Sequence, residues 1–349
     1  MILHSSGINA FQRCARKWWF SDRNAGLGFQ PKVDSSPLLL GSWIHKAMYR
    51  YYNNGLDLDD GFNQAIEKTR QGWANQGVIV QPWMEEKVVG AQKLGKAMIR
   101  GYKPWSYDDT GRYADQNLTF LAAEQEFFIE VGTDIITGTW DGLVRQKDGG
   151  LWVFETKTTR NIEELVDGLP FDWQPRIYVW AAERIVDEPV LGIIYNIVKK
   201  ADPYGVKILQ NGLPSLDKNE LKNTTVKAYL ELFAKGALAL THPLPTQQAL
   251  KYSAAIKDLQ RQPNEFYLRY PYRVPRQHLD VLKGQLRVVA DQMRLTKKLG
   301  KYAPPSWNRF DCPMYCPFNE ACSALSDGRD YVTLLNETMN NKERETYFG

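Results

Sequence analysis

No run of about 18 apolar residues occurs in this 349-residue chain, which argues against a membrane-spanning helix. The opening stretch, residues 1–14, carries charge and polarity where a secretory leader needs an apolar core, so export is not expected. Cysteine is scarce, with four residues, and no oxidising compartment is indicated; the four are read as metal or redox ligands rather than disulfides. Internal repeats and low-complexity tracts are missing, and so is the G-x-S-x-G pattern of a serine nucleophile. Gly90 to Ala97 approaches a phosphate-binding loop, but Ala97 stands where Mg²⁺ coordination needs Ser or Thr, and the stretch reads as helix with no strand before it. An ATP site, and with it a helicase motor, is excluded. What is present, 43% hydrophobic and 24% charged residues, is the mix of an ordinary globular protein of two or three domains, or one elaborated domain.

The net charge of +4 conceals an asymmetry. Residues 190–310 hold 20 Lys and Arg against 8 Asp and Glu, which leaves 24 against 32 elsewhere. A basic segment beside an acidic one suits a surface that grips phosphates next to a carboxylate cluster that holds metal. Two solvated faces would give the same count.

Periodicity predicts a short helix over 5–20, a Gly- and Pro-containing loop to about 37, a helix over 38–52 and continued helix over 59–103. The period then changes. Strands are expected at 127–129, 135–144 and 151–156, the last two joined through Lys147-Asp148-Gly149-Gly150, a hairpin signal. Asp172 reads as an N-cap with Pro175 in the first turn of a helix to about 184. A strand at 191–198 is expected to pair with 206–209, followed by helices at 217–238 and 276–300 and a strand near 265–270. From Pro304 the chain reads as irregular, and beyond about 330 as a loosely held polar tail. The order in the middle implies a mixed α/β fold, a central mixed sheet flanked by helices.

Gly138-x-x-Asp141 and, after thirteen intervening residues, Glu155-Thr156-Lys157 fall on the two arms of the hairpin. The turn brings the carboxylates together, and Glu155 and Lys157, two apart, share one face of their strand. Two carboxylates and a lysine at the end of an apolar run are costly to leave unpaired. A hard cation such as Mg²⁺ or Mn²⁺ satisfies them, and so does a cross-strand salt bridge. Gln174 and Tyr178, four apart, share a helix face beside this point, where they either support a site or pack as core. Gly41-Ser42-Trp43-Ile44-His45 places a histidine on a helix, as ligand or as packing residue.

The order of a Gly-x-x-x-His helix, a Gly-x-x-Asp strand, a Glu-x-Lys strand and a Gln-x-x-x-Tyr helix resembles the RecB-like branch of the PD-(D/E)XK nucleases. The resemblance implies that His45, Asp141 and Glu155, with the Thr156 backbone carbonyl, bind Mg²⁺ or Mn²⁺. It implies that Lys157 orients water or steadies phosphate charge, and that Gln174 and Tyr178 support the site. Cys14, far from Cys312, Cys316 and Cys322 with their x3 and x5 spacing, resembles the iron–sulfur members of that family, such as AddB-type nuclease domains and CRISPR-associated RecB-like exonucleases. There four thiolates hold a 4Fe-4S cluster that ties the chain ends together; a Cys₄ zinc site is the alternative.

The arginine–tyrosine interleaving around Arg269, Tyr270, Arg273 and Arg276 suits single-stranded DNA, or else marks a plain strand edge. The resulting expectation is a nuclease domain over 1–330, with a catalytic core at 38–200, basic additions at 201–300, an iron–sulfur staple formed by 1–30 with 304–325, and a tail at 331–349. It would be a metal-dependent DNA exonuclease acting on ends, with nicking or endonuclease activity as a variant. A non-catalytic DNA-end-binding subunit is the alternative. The resemblance implies a bacterial cytoplasmic setting or a phage origin, and a helicase, recombination, repair or CRISPR-adaptation partner.

Overall fold

The computed structural model describes residues 1–32, 35–234, 246–309 and 311–341. The chain begins with β1 (Ile2–Leu3), α1 (Ser5–Arg13) and α2 (Ala15–Ser21). The single helix expected over 5–20 is broken at Cys14, whose backbone is extended and whose sulfur accepts from the Lys17 N–H as a cap for α2. After β2 (Phe29–Pro31) come α3 (Ser36–Asn54), α4 (Leu58–Asn75) and α5 (Pro82–Asp108). The Gly90–Ala97 stretch lies wholly within α5, so it forms no phosphate loop.

The middle of the chain supplies β3 (Leu118–Val131), β4 (Asp134–Gln146), β5 (Leu151–Thr159), α6 (Ile162–Gly168), α7 (Trp173–Val186) and β6 (Val190–Lys199). The Asp172 cap is as the sequence indicates, its carboxylate accepting from the Gln174 N–H. Beyond lie α8 (Lys218–Leu221), α9 (Val226–Ala234), α10 (Thr246–Arg261), β7 (Tyr267–Tyr272), α11 (Arg276–Leu299), α12 (Asp311–Met314), α13 (Asn319–Ser326), α14 (Tyr331–Thr338) and β8 (Met339–Asn341).

Further expectations need correction, among them the stretch from Pro304 read as irregular, which holds α12, α13 and α14. Residues 206–209 do not join β6, because both its edges are taken by β5 and β7; Ile208 makes only a lone bridge to Pro214. The helix expected at 217–238 is two helices, α8 and α9, and its end from 235 lies outside the described residues. The tail is anchored as far as Asn341: β8 pairs antiparallel with β2, Leu335 is fully buried, and Tyr331 packs against Trp19 and Phe20. β7, inside the supposed additions, is an integral strand of the main sheet.

That sheet runs β1-β4-β5-β6-β7, with β3 on the other edge of β4. β4 meets β1 at Ile135 and Ile136 and β5 only from Gly142 to Arg145. The β4–β5 ladder therefore opens at the Asp141–Glu155 level, where β5 continues against β6 alone. β5 and β6 are buried on both sides, which explains their near-continuous apolar runs. Val153, Ile193, Tyr195 and Ile197 face one core with α7 and α11. The alternate residues Phe154 and Ile194 belong to a second cluster, and Val198 to a third with α3, α4 and α5. No helix among the described residues is long and apolar enough to cross a membrane.

Candidate active site

The fork between β4 and β5 is where the chemistry-bearing residues meet. Gly142 and Phe154 are the last ladder pair, so Asp141 and Glu155 stand across the opening. There the Thr156 N–H has lost its strand partner, and the Asp141 carboxylate replaces it: Oδ2 accepts from Thr156 N at 2.7 Å. His45 on α3 brings Nδ1 to 3.1 Å from the same oxygen. Lys157 Nζ donates to Glu155 Oε1 at 2.9 Å, and Gln174 Nε2 donates to it at 3.1 Å. Glu155 Oε2 is buried with no hydrogen-bond partner among the described residues.

The two motif glycines have local reasons. A Cβ on Gly41 would lie 3.2 Å from Thr158 Oγ1, so α3 approaches β5 here closely enough that a side chain would require Thr158 to give by a few tenths of an ångström. A Cβ on Gly138 would lie 2.8 Å from the Phe127 ring and 3.2 Å from the Tyr178 ring. Tyr178 is thereby seated, and its hydroxyl donates to the Thr139 carbonyl at 2.8 Å. It is core and support at once.

Burial and mutual charge set the protonation states. Burial first, and the Asp141 charge second, push the Glu155 carboxyl up to about 7, against Lys157 and His45. Burial alone would raise Asp141, but the hydrogen bond and charge of His45 outweigh it and hold the carboxyl below its ordinary value. For His45, burial works against the cation, and Asp141 with Glu155 overcomes it, raising the imidazole. Burial likewise opposes charge on Lys157, and Glu155 outweighs it, so the ammonium persists. The site is an alternating set of charges closed on itself. Among the described residues no three His, Cys, Asp or Glu side chains converge around a single-ion position.

Two neighbours escaped sequence reasoning. Glu124 on β3 falls opposite Asp141, between the Ala123–Gly142 and Gln125–Trp140 pairs, with a left-handed φ of 42°. Partial burial and then the charge of Asp141 raise its carboxyl. Nothing in the residues around it marks that backbone strain. Tyr195 pairs in register with Glu155, and its hydroxyl is buried without a partner; in the sequence it is one more residue of an apolar strand.

The structure scatters the arginine–tyrosine set. Arg269 is 9% exposed, and its guanidinium donates to Tyr52 Oη at 2.7 Å, to Tyr102 Oη at 2.9 Å and to Asp115. It is an interior ion pair and presents no exposed guanidinium to a ligand. Tyr270 packs half-buried against the core, Arg273 lies over Trp152 at 5.2 Å, and Arg276 pairs with Glu183 at 2.5 Å.

Cys14, Cys312, Cys316 and Cys322 line one cavity of about 300 Å³ with Phe20, Phe318 and Trp307. Ser306 N–H donates to Cys14 Sγ at 3.4 Å and Asn308 N–H to Cys312 Sγ at 3.3 Å. Arg16, which the sequence reading passed over, already ties the ends together: Nε donates to the Ala303 carbonyl at 2.9 Å and Nη1 to Ser326 Oγ at 2.8 Å.

Among known families, the model of the PD-(D/E)XK nuclease superfamily matches residues 5–323. No curated protein matches the chain.

Proposed function

Because the chain belongs to the PD-(D/E)XK nuclease superfamily, we propose that the fork is the active site of a metal-dependent DNA exonuclease that acts on ends and favours single strands. The observation that carries this reading is the buried Glu155 Oε2, without a hydrogen-bond partner among the described residues, in a side chain that feels the Asp141 charge and holds Lys157. A carboxylate oxygen withdrawn from water without a donor fits a hard cation. His45, Asp141, Glu155 and the Thr156 carbonyl would hold Mg²⁺ or Mn²⁺ once the His45–Asp141 and Lys157–Glu155 contacts give way, since as they stand the three side chains do not converge on one ion position. Bound there, the cation supplies Lewis acidity toward the phosphate and makes its water more acidic. Lys157 places fixed positive charge at the scissile phosphate, and Gln174 keeps Glu155 aimed at the fork. His45 couples α3 to the carboxylates, and Tyr178 fixes the β4 backbone through Thr139. Hydrolysis adds water across one P–O bond and leaves a phosphate and a hydroxyl terminus.

The four thiols hold a 4Fe-4S cluster in the same reading. The support is their common cavity, its apolar walls and the N–H donors to Cys14 and Cys312, the kind of hydrogen bonding that tunes thiolate clusters. A cluster spreads its ligands around four irons, so it does not need the thiols to converge on one ion; a Cys₄ zinc site does. Brown colour with iron and sulfide in the purified protein, both lost in Cys14→Ser, supports the cluster; stoichiometric zinc without colour replaces it.

The activity is tested with end-labelled linear DNA and a closed circle, each with Mg²⁺, Mn²⁺ or EDTA. Metal-dependent loss of linear DNA with the circle spared is expected. Cutting of the circle makes the protein an endonuclease, and binding without cutting under either metal makes it the end-binding subunit. A cytoplasmic setting and a helicase, recombination or CRISPR-adaptation partner complete the proposal.

A further inference from the structure

The segment joining Lys157 to Gln174 forms one side of a second cavity, of about 540 Å³, that the motif residues do not use. Its lining includes Thr159, two residues beyond Lys157, and Asp172, two before Gln174, so it opens at the same ends of β5 and α7 as the fork. Arg13 from the last turn of α1 and Arg160, just past the end of β5, both line it, and neither makes an ion pair among the described residues. Phe171 lines it as well and is 82% exposed, on a short 3₁₀ turn stiffened by Pro170. Glu164 is the acidic lining residue besides Asp172, and Asp172 is occupied with the α7 cap and with Asn9.

An aromatic face left in water beside two unpaired guanidinium groups matches an unpaired nucleotide. The base offers a flat apolar face and the flanking phosphates offer negative charge. A base inside a duplex has both faces covered by its neighbours, so Phe171 is open only to a single strand or a frayed end. We propose that this cavity is the subsite for the nucleotide next to the scissile phosphate. The base stacks on Phe171 and its phosphates lie against Arg13 and Arg160. The proposal rests on the nuclease reading of the fork and adds to it the source of single-strand preference.

The test uses the full chain with Lys157→Ala, which removes cleavage, and measures the anisotropy of a labelled single-stranded oligothymidylate and of a blunt duplex. Adding Phe171→Ala is expected to weaken single-strand binding by roughly 5- to 100-fold while sparing the duplex, with Phe171→Trp restoring it. Adding Arg13→Ala or Arg160→Ala is expected to lower the salt dependence by about one counterion each. Single-strand affinity within about twofold of the parent after Phe171→Ala overturns the subsite, given what stacking on an aromatic contributes. If wild type cuts DNA and that result is seen, the subsite alone falls. If the parent binds single strands through Phe171 while wild type cuts nothing with either metal, the subsite stands and the nuclease reading falls. A parent that binds no single strand overturns the subsite and the single-strand preference, and the nuclease reading then stands or falls on cleavage by wild type.

Discussion

Replacing Glu155 by Gln keeps the shape of the side chain and the acceptor for Lys157 and Gln174, but removes the charge at the buried Oε2. The folded protein holds the Glu155 proton more tightly than the unfolded chain, about 7 against an ordinary 4.5. Protonation therefore stabilises the fold. That contribution is complete below the unfolded value and is lost as pH rises through the folded one. Between pH 5 and pH 8 the loss comes to about 2.5 kcal/mol, from roughly 1.4 kcal/mol per pKa unit. For a chain of this length that is about 3 °C in Tm, from an unfolding entropy of roughly 2.1 cal/mol/K per residue. The assay is thermal unfolding of wild type and Glu155→Gln in EDTA at both pH values, read as the difference between the two proteins. Groups that do not feel Glu155 titrate alike in both and cancel; His45, which the Glu155 charge helps to raise, does not cancel fully and adds to the difference in the same direction. Wild type should lose about 3 °C more than the variant on going to pH 8, and Mg²⁺ should restore wild type there more than the variant. Parallel pH profiles would refute the claim that Glu155 is held in the fork at the expense of its charge.

Asp141→Ala and Lys157→Ala are each expected to fold, with unchanged far-ultraviolet circular dichroism, and to abolish cleavage; substantial residual cleavage by either defeats the assignment. Gly138→Ala forces a Cβ against Phe127 and Tyr178 and should cost about 1–3 kcal/mol of stability in denaturant titration, with reduced turnover as Tyr178 leaves Thr139. Arg269→Ala should be more damaging, about 1–3 kcal/mol, because it leaves the half-buried Asp115 without its ion-pair partner. Arg273→Ala, at an exposed position, should stay within about 0.5 kcal/mol. Equal effects of the two arginine substitutions would contradict the interior placement of Arg269.

What could be read in the sequence was local. The Lys147–Gly150 turn, the two-residue spacing of Glu155 and Lys157 and the four-residue spacing of Gln174 and Tyr178 each fix geometry over a few residues, and these landed together. What could not be read depends on distant partners. Arg269 sits among tyrosines in a pattern that suits a nucleic-acid surface, and only Asp115, 154 residues away, makes it an interior residue. Glu124 enters through the β3–β4 register and a left-handed backbone at a residue type that does not advertise it. The tail from 331 to 341 is polar in composition, yet β8 finds its partner β2 some 300 residues earlier, which no periodicity reveals.

The central claim is that the Asp141–Glu155 fork hydrolyses DNA with a divalent cation. The most direct test compares wild type with Asp141→Asn, purified in parallel, on one end-labelled single-stranded DNA across a Mn²⁺ titration. Wild type should degrade the strand in proportion to bound Mn²⁺ and stop with EDTA, while Asp141→Asn binds the same DNA and leaves it intact. Equal degradation by both proteins, or degradation that persists in EDTA, would contradict the account.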